Sequence, residues 1–207
     1  MYTRLQSMNK MKKRIIVIEG LPGVGKSSIL NYFHKDKMVC VVKEIIPLDP
    51  GFIKSMSQSF YFNSDELKTK AIISSDYPIY LLDRYYASTL AFYWAYDKTY
   101  KTEGYKKAYE WYVKALKECR LIKPFIVVFI RITPQVSFKR KKRVPSNGSE
   151  VPWLNKEFVK YFANYYNYFY RNIEPHTRVI KFSGAKPLHD TISKIQAIIN
   201  NSRQGII

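Results

Sequence analysis

Residues 14–28, Arg14-Ile15-Ile16-Val17-Ile18-Glu19-Gly20-Leu21-Pro22-Gly23-Val24-Gly25-Lys26-Ser27-Ser28, run an apolar strand into a glycine-rich turn that closes on Gly-Lys-Ser. The spacing Gly20-x-x-x-x-Gly25-Lys26-Ser27 is a complete Walker A pattern. Its backbone N–H groups must approach phosphate oxygens closely, which side chains at Gly20, Gly23 or Gly25 would obstruct. The turn also ends at a helix start, the positive end of the helix dipole. Within this loop Val24 and Ser28 complete the expected phosphate cradle. Lys26 is placed to reach the β- and γ-phosphates and Ser27 to complete a Mg²⁺ shell. Ile15 to Ile18 read as a buried parallel strand, and Ser28 to Phe33 continue as a helix.

Working outward, apolar runs recur at residues 38–45, 79–82, 125–131 and 179–182. Helical patterns fall at 65–74, 86–96, 105–119, 154–172 and 188–200. Strands alternating with helices predict an α/β doubly wound parallel sheet. The expected architecture is a three-layer P-loop NTPase fold, with a five-stranded parallel sheet flanked by helices. A chain of 207 residues is one such domain. The domain is expected over 14–207, preceded by a disordered basic extension over 1–13. A short basic lid is expected at about 139–153, where Lys139-Arg140-Lys141-Lys142-Arg143 meets a loop rich in Pro, Ser, Asn and Gly.

With 35 Lys and Arg against 16 Asp and Glu, the formal net charge is +19. That charge attracts polyanions of any kind, and the 18 tyrosines beside many lysines suit a composition bias equally. Cys40 and Cys119 are far apart and lack metal-ligand spacing, as expected of reduced cytoplasmic thiols. No apolar stretch reads as a signal or a membrane span. His34, His176 and His189 fall outside every motif and are expected to be surface or structural residues.

The third apolar run ends in Leu82-Asp83-Arg84-Tyr85. In an open parallel sheet, ligands bind beyond the carboxyl ends of the strands, so Asp83 and Arg84 should share the crevice of the glycine loop. Asp83 suits Mg²⁺ or a proton, and Arg84 suits a phosphate or the acceptor. A second acid to activate water is missing after Asp83, which favours transfer to an acceptor over hydrolysis.

These residues resemble the thymidylate kinase family, within the P-loop nucleoside and nucleotide kinases. The resemblance rests on Ile18-Glu19-Gly20, on Asp83-Arg84-Tyr85-x-x-Ser88-x-x-Ala91-Phe92, on Pro134-x-Val136 leading to Arg140 and Arg143, and on residues 179–183 followed by Pro187. It implies ATP and Mg²⁺ as cofactors and transfer to a small nucleotide, with a deoxynucleoside monophosphate such as dTMP as the acceptor. It further implies Arg140 and Arg143 acting from the lid, Tyr85, Ser88 and Phe92 lining the acceptor side, and a homodimer. The chain departs from the family at Pro22, at Tyr93, and after the second strand, where Lys43-Glu44-Ile45 carries no arginine pattern. Glu44 resembles the acid that serves deoxynucleoside kinases as general base on a sugar hydroxyl, so a nucleoside or another small hydroxyl compound stays open as acceptor. A nucleic-acid-associated ATPase and a non-catalytic ATP-binding regulator also stay open, although no nucleic-acid-binding module is recognisable.

Several residues carry two readings. Ser88 and Phe92, four apart, suit acceptor contact and core packing alike. Asn63, Asp65 and Lys68 suit acceptor contact, or helix capping by Asn63 or Ser64. Tyr109, Trp111 and Tyr112 suit an interface or the core.

Overall fold

Strand β1 (Arg14–Gly20) lies at the centre of a five-stranded, all-parallel sheet of order β2-β3-β1-β4-β5. The structure is a computed structural model that describes residues 13–44, 59–141 and 152–204. The other strands are β2 (Val39–Val42), β3 (Ile79–Asp83), β4 (Ile126–Arg131) and β5 (Val179–Ser183). The helices are α1 (Lys26–Phe33), α2 (Ser59–Ser74), α3 (Tyr86–Tyr100), α4 (Gly104–Lys117), α5 (Pro134–Lys141), α6 (Lys156–Tyr168) and α7 (Leu188–Arg203). A π-helical turn, Phe169–Ile173, prolongs α6.

The three central strands are buried on both faces, which is why Ile15–Ile18, Ile79–Leu82 and Ile126–Ile130 are apolar without alternation. Fully burying each such side chain contributes about 1.5–3 kcal/mol. Helices α1 and α7 pack together on one side of the sheet, and α3 packs against α6, α4 and α2 on the other. This second layer holds many of the aromatics. Tyr85, Tyr86, Tyr112, Tyr165, Tyr166, Phe158, Phe162 and Phe169 are all buried, so a good share of the tyrosines is core material.

The expected strands and helices recur in order, and the differences are informative. Strand β2 ends at Val42, so Glu44 stands on the following segment. Helix α2 is under way by Ser59, six residues before the expected start; Asn63 and Ser64 are interior to it and cap nothing at its N-terminus. Lys13, placed by sequence in the extension, donates through its ammonium to the carbonyls of Ile72 and Ile73 near the end of α2. The expected lid is divided. Lys139, Arg140 and Lys141 belong to α5, Pro152 and Trp153 precede α6, and Arg143 with the rest lies outside the described residues. Tyr112 is buried, Trp111 stacks on Phe62 at 4.4 Å between centroids, and Tyr109 is exposed, so that trio divides between core and surface. His34, His176 and His189 are exposed; Cys40 and Cys119 are free thiols.

Candidate active site

Register places the phosphate loop and the β3 tip side by side. Ile18 pairs with Asp83, and the Arg84 N–H donates to the Ile18 carbonyl at 3.2 Å, so the two chain segments diverge at one point. Gly20, Gly23 and Gly25 all have positive φ. At Gly20 a Cβ would lie 2.5 Å from the Ile130 carbonyl oxygen, and at Gly23 it would lie 2.9 Å from the Arg140 Cβ. Both positions therefore need glycine for backbone angle and for space.

Val24 is buried under the loop, while Ser27 and Ser28 are exposed in the first turn of α1. Lys26 is buried, and its ammonium donates to the carbonyls of Gly20 (3.3 Å) and Leu21 (3.4 Å). Burial, reinforced by the nearby Arg84 charge, lowers its pKa to about 8 against the opposing pull of Asp83, Glu44 and Glu19. Asp83 is only 7% exposed, and its Oδ1 is buried without a hydrogen-bond partner. Burial raises its pKa; Lys26 works against that rise and Glu44 adds to it. A buried, unpartnered carboxylate oxygen beside the phosphate loop suits a hard cation, as does the Ser27 hydroxyl.

Arg84 is the pivot of the other half. Its φ of 56° lies in the left-handed region, a strained conformation that surrounding contacts must hold. The Lys68 ammonium supplies one such contact, donating to the carbonyls of Asp83 (3.0 Å) and Arg84 (3.1 Å) while sitting 3.5 Å from Asp65 Oδ1. Asp65 in turn accepts from the Thr89 hydroxyl at 2.7 Å. Asp65 and Lys68 of the polar cluster noted on α2 thus brace the β3 tip, while Asn63 is exposed. The Arg84 guanidinium reaches Glu44 Oε2 at 3.4 Å, and lies over the rings of Trp153 (5.7 Å) and Phe162 (5.6 Å). Burial alone would weaken its charge, but Glu44 leads Tyr166, Glu19 and Asp83 in more than offsetting that, so its pKa is raised.

These groups line one narrow cleft that is partly open to solvent. Glu44, Arg84, Asp65 and Lys68 supply its charges, and Tyr61, Phe92, Trp153 and Phe162 its aromatic walls. Tyr85, Ser88 and Phe92, the expected acceptor residues, all contribute to it. The Tyr85 hydroxyl is occupied by Thr69 and the Ile122 N–H, and the Ser88 hydroxyl by Glu19 and Tyr166. The structure thus gathers Lys26, Asp83, Arg84, Glu44, Tyr85, Ser88 and Phe92 into one region. Arg140 stands apart on the loop side, its guanidinium donating to the carbonyls of Gly23 (3.0 Å) and Gly184 (3.2 Å). Sequence reasoning did not single out Glu19 for a role, nor Tyr61, Thr89, Trp153, Phe162 or Tyr166. Of these only Glu19 carried a signal, as a charged residue ending an otherwise apolar strand.

No protein-family model matches the sequence, and no curated protein does. Solved structures do match the fold. Deoxyadenosine kinase from M. mycoides with bound dATP superposes with a TM-score of 0.72 at 19% identity, over 89% of this chain and 98% of that one. The same enzyme with its products dCMP and a flexible dCDP gives 0.71 at 19% identity, over 90% and 99%. With bound dCTP it gives 0.66 at 18% identity, over 90% and 99%. This chain therefore has the three-layer α/β P-loop fold of those kinases, nearly end to end. Among the described residues, no helix is long and apolar enough to cross a membrane.

Proposed function

We propose that this protein is a P-loop kinase that transfers the γ-phosphoryl group of ATP to a hydroxyl of a deoxynucleoside. The observation that carries this reading is the Glu44 carboxylate at the cleft, 3.4 Å from Arg84 and 32% exposed, where an incoming hydroxyl can meet it. The hydroxyl oxygen attacks the γ-phosphorus, its proton passes to Glu44, the bond to the β-bridging oxygen breaks, and ADP leaves. Arg84 orients the Glu44 carboxylate and faces the charge that spreads over the transferring group. The backbone of the loop and Lys26 hold the β- and γ-phosphates, and Arg140 anchors the loop from the ATP side. Asp83 and Ser27 would hold Mg²⁺, which supplies charge neutralisation on the phosphates when bound.

The sequence alone favoured a monophosphate acceptor such as dTMP. Such an acceptor brings a second dianion that needs a cation of its own. Among the described residues of the cleft, Arg84 is already paired with Glu44, and Lys68 is engaged by two carbonyls and Asp65. An acidic group at the cleft favours a neutral hydroxyl over a phosphate. The structural neighbours support the same choice, being kinases of a deoxynucleoside by name, with dCMP as a bound product in one case. The test is to incubate the protein with Mg·ATP and matched pairs of deoxynucleosides and their monophosphates, and to identify the products by mass spectrometry. New monophosphates formed from nucleosides support the proposal; diphosphates formed only from monophosphates overturn it.

A further inference from the structure

Glu19 ends the apolar run of β1 one residue before the phosphate loop, and it is wholly buried. A carboxylate in that position is costly unless its oxygens are satisfied. Three donors meet it: the Tyr85 N–H on Oε1 at 3.2 Å, and on Oε2 the hydroxyls of Ser88 at 2.6 Å and Tyr166 at 2.8 Å. None of them belongs to the phosphate loop. The Tyr85 N–H is the peptide that follows Arg84, Ser88 lies in the first turn of α3, and Tyr166 comes from α6.

Both hydroxyls also face Arg84. Its Nη1 donates to Ser88 Oγ at 3.3 Å and to Tyr166 at 3.5 Å, and the two hydroxyl oxygens are 2.6 Å apart. The two hydroxyl protons are shared among Glu19 and the bond between the hydroxyls, and Ser88 and Tyr166 turn lone pairs toward the guanidinium. The far side of the same guanidinium meets Glu44. A continuous path therefore runs from the strand that carries the ATP loop, through two hydroxyls, to the pair that faces the acceptor. Arg84 needs such support because its backbone is strained at φ 56°.

We infer that Glu19 is a positioning residue for phosphoryl transfer: it fixes the Arg84 guanidinium through Ser88 and Tyr166, and so aligns Glu44 with the γ-phosphate bound on the adjoining loop. The inference rests on the kinase reading above for its consequence in turnover, and on the hydrogen-bond geometry alone for the placement of Arg84. In Glu19→Gln one amide N–H₂ replaces an acceptor oxygen, so either the Tyr85 N–H, which follows Arg84, or the two hydroxyls beside the guanidinium lose their acceptor, and in both orientations the support of Arg84 changes.

The test has two readouts. The first is the ¹⁵N-edited resonance of the Arg84 side-chain Nε–H, assigned by its disappearance in Arg84→Lys. The second is turnover on whichever acceptor the wild type uses, beside the ATP dissociation constant from direct titration. In Glu19→Gln the resonance should shift or exchange faster with water. Turnover should fall about 10- to 100-fold with ATP affinity within about threefold of wild type, because misplacement of a catalytic group costs rate more than donor binding. An unchanged resonance, or an ATP affinity that falls in step with turnover, would overturn the inference, since Glu19 would then serve the loop alone. If only monophosphates are substrates, the nucleoside reading fails and the resonance still decides the role of Glu19. If Glu19→Gln does not fold, Ser88→Ala combined with Tyr166→Phe removes both relays, and the same resonance decides.

Discussion

The two halves of the proposed site, the phosphate loop and the cleft beside it, are built in opposite ways. The donor half is one contiguous segment, β1, the loop and the start of α1, and most of its chemistry is backbone: glycines at positive φ, N–H groups and a helix start. The acceptor half is assembled from side chains on the segment after β2, on α2, the β3 tip, α3, the turn before α6, and α6 itself. The first needs a particular local sequence and little else. The second needs the whole fold, since Arg84 meets Glu44, Ser88, Trp153, Phe162 and Tyr166 only when five chain segments are in place. A phosphate site can therefore keep its pattern while the side chains of the site beside it change.

The largest expected effect breaks the donor half. Lys26→Ala removes the buried cation of the loop, and turnover should fall by about 10³-fold or more with the thermal midpoint hardly changed. Steady-state kinetics with thermal denaturation checks this, and full activity in the mutant would contradict the assignment. A smaller effect belongs to the acceptor half alone. Trp153→Ala opens the wall beside Arg84 and Phe92; KM for the acceptor should rise about tenfold while the ATP constant stays level, as loss of one aromatic contact implies. A parallel rise in both constants would mean that the halves are not separable in this way.

The smallest effect on catalysis is expected away from both halves. Glu174 is buried beyond the π-helical turn and accepts from the hydroxyls of Tyr86 (3.0 Å), Tyr112 (2.7 Å) and Thr177 (2.8 Å). It resembles Glu19 in burial and in its hydroxyl partners, but its cationic neighbour is Lys123, 3.6 Å from Oε1, and among the described residues no arginine is paired with it. Glu174→Gln should cost about 1–3 kcal/mol of stability by leaving a buried donor unmet, with kcat unchanged. Urea denaturation alongside kinetics checks the contrast. A large loss of kcat in folded Glu174→Gln would show that buried carboxylates under α3 affect catalysis without touching Arg84.

How much of this was legible follows from the same contrast. The loop, the five strands and the order of elements apart from helix α5, which was not among the expected helices, could be read because apolar runs and glycine spacing are local signals. The β3 tip was placed correctly beside the loop by the general behaviour of parallel sheets. Helix α2 was read as starting six residues late, because the aromatic stretch Phe60-Tyr61-Phe62 has no helical amphipathicity: both faces of that turn meet other elements. Ser88 and Phe92 were recognised, but not that the Ser88 hydroxyl points to Glu19. Tyr166 and Trp153 could not be found, since nothing in an aromatic-rich sequence marks the two that touch one arginine. The acceptor reading depends on those side-chain meetings, which is why the sequence leaned to a monophosphate while our proposal, made from the cleft, is a hydroxyl.

The most direct measurement is the steady-state rate of wild type and Glu44→Gln on the best acceptor, with ADP release as the signal and ATP binding titrated separately. A hydroxyl acceptor that hands its proton to Glu44 predicts a fall in kcat of about 10²-fold or more with ATP affinity unchanged. A Glu44→Gln enzyme that keeps most of its rate, and does so on a nucleoside monophosphate, would contradict the account.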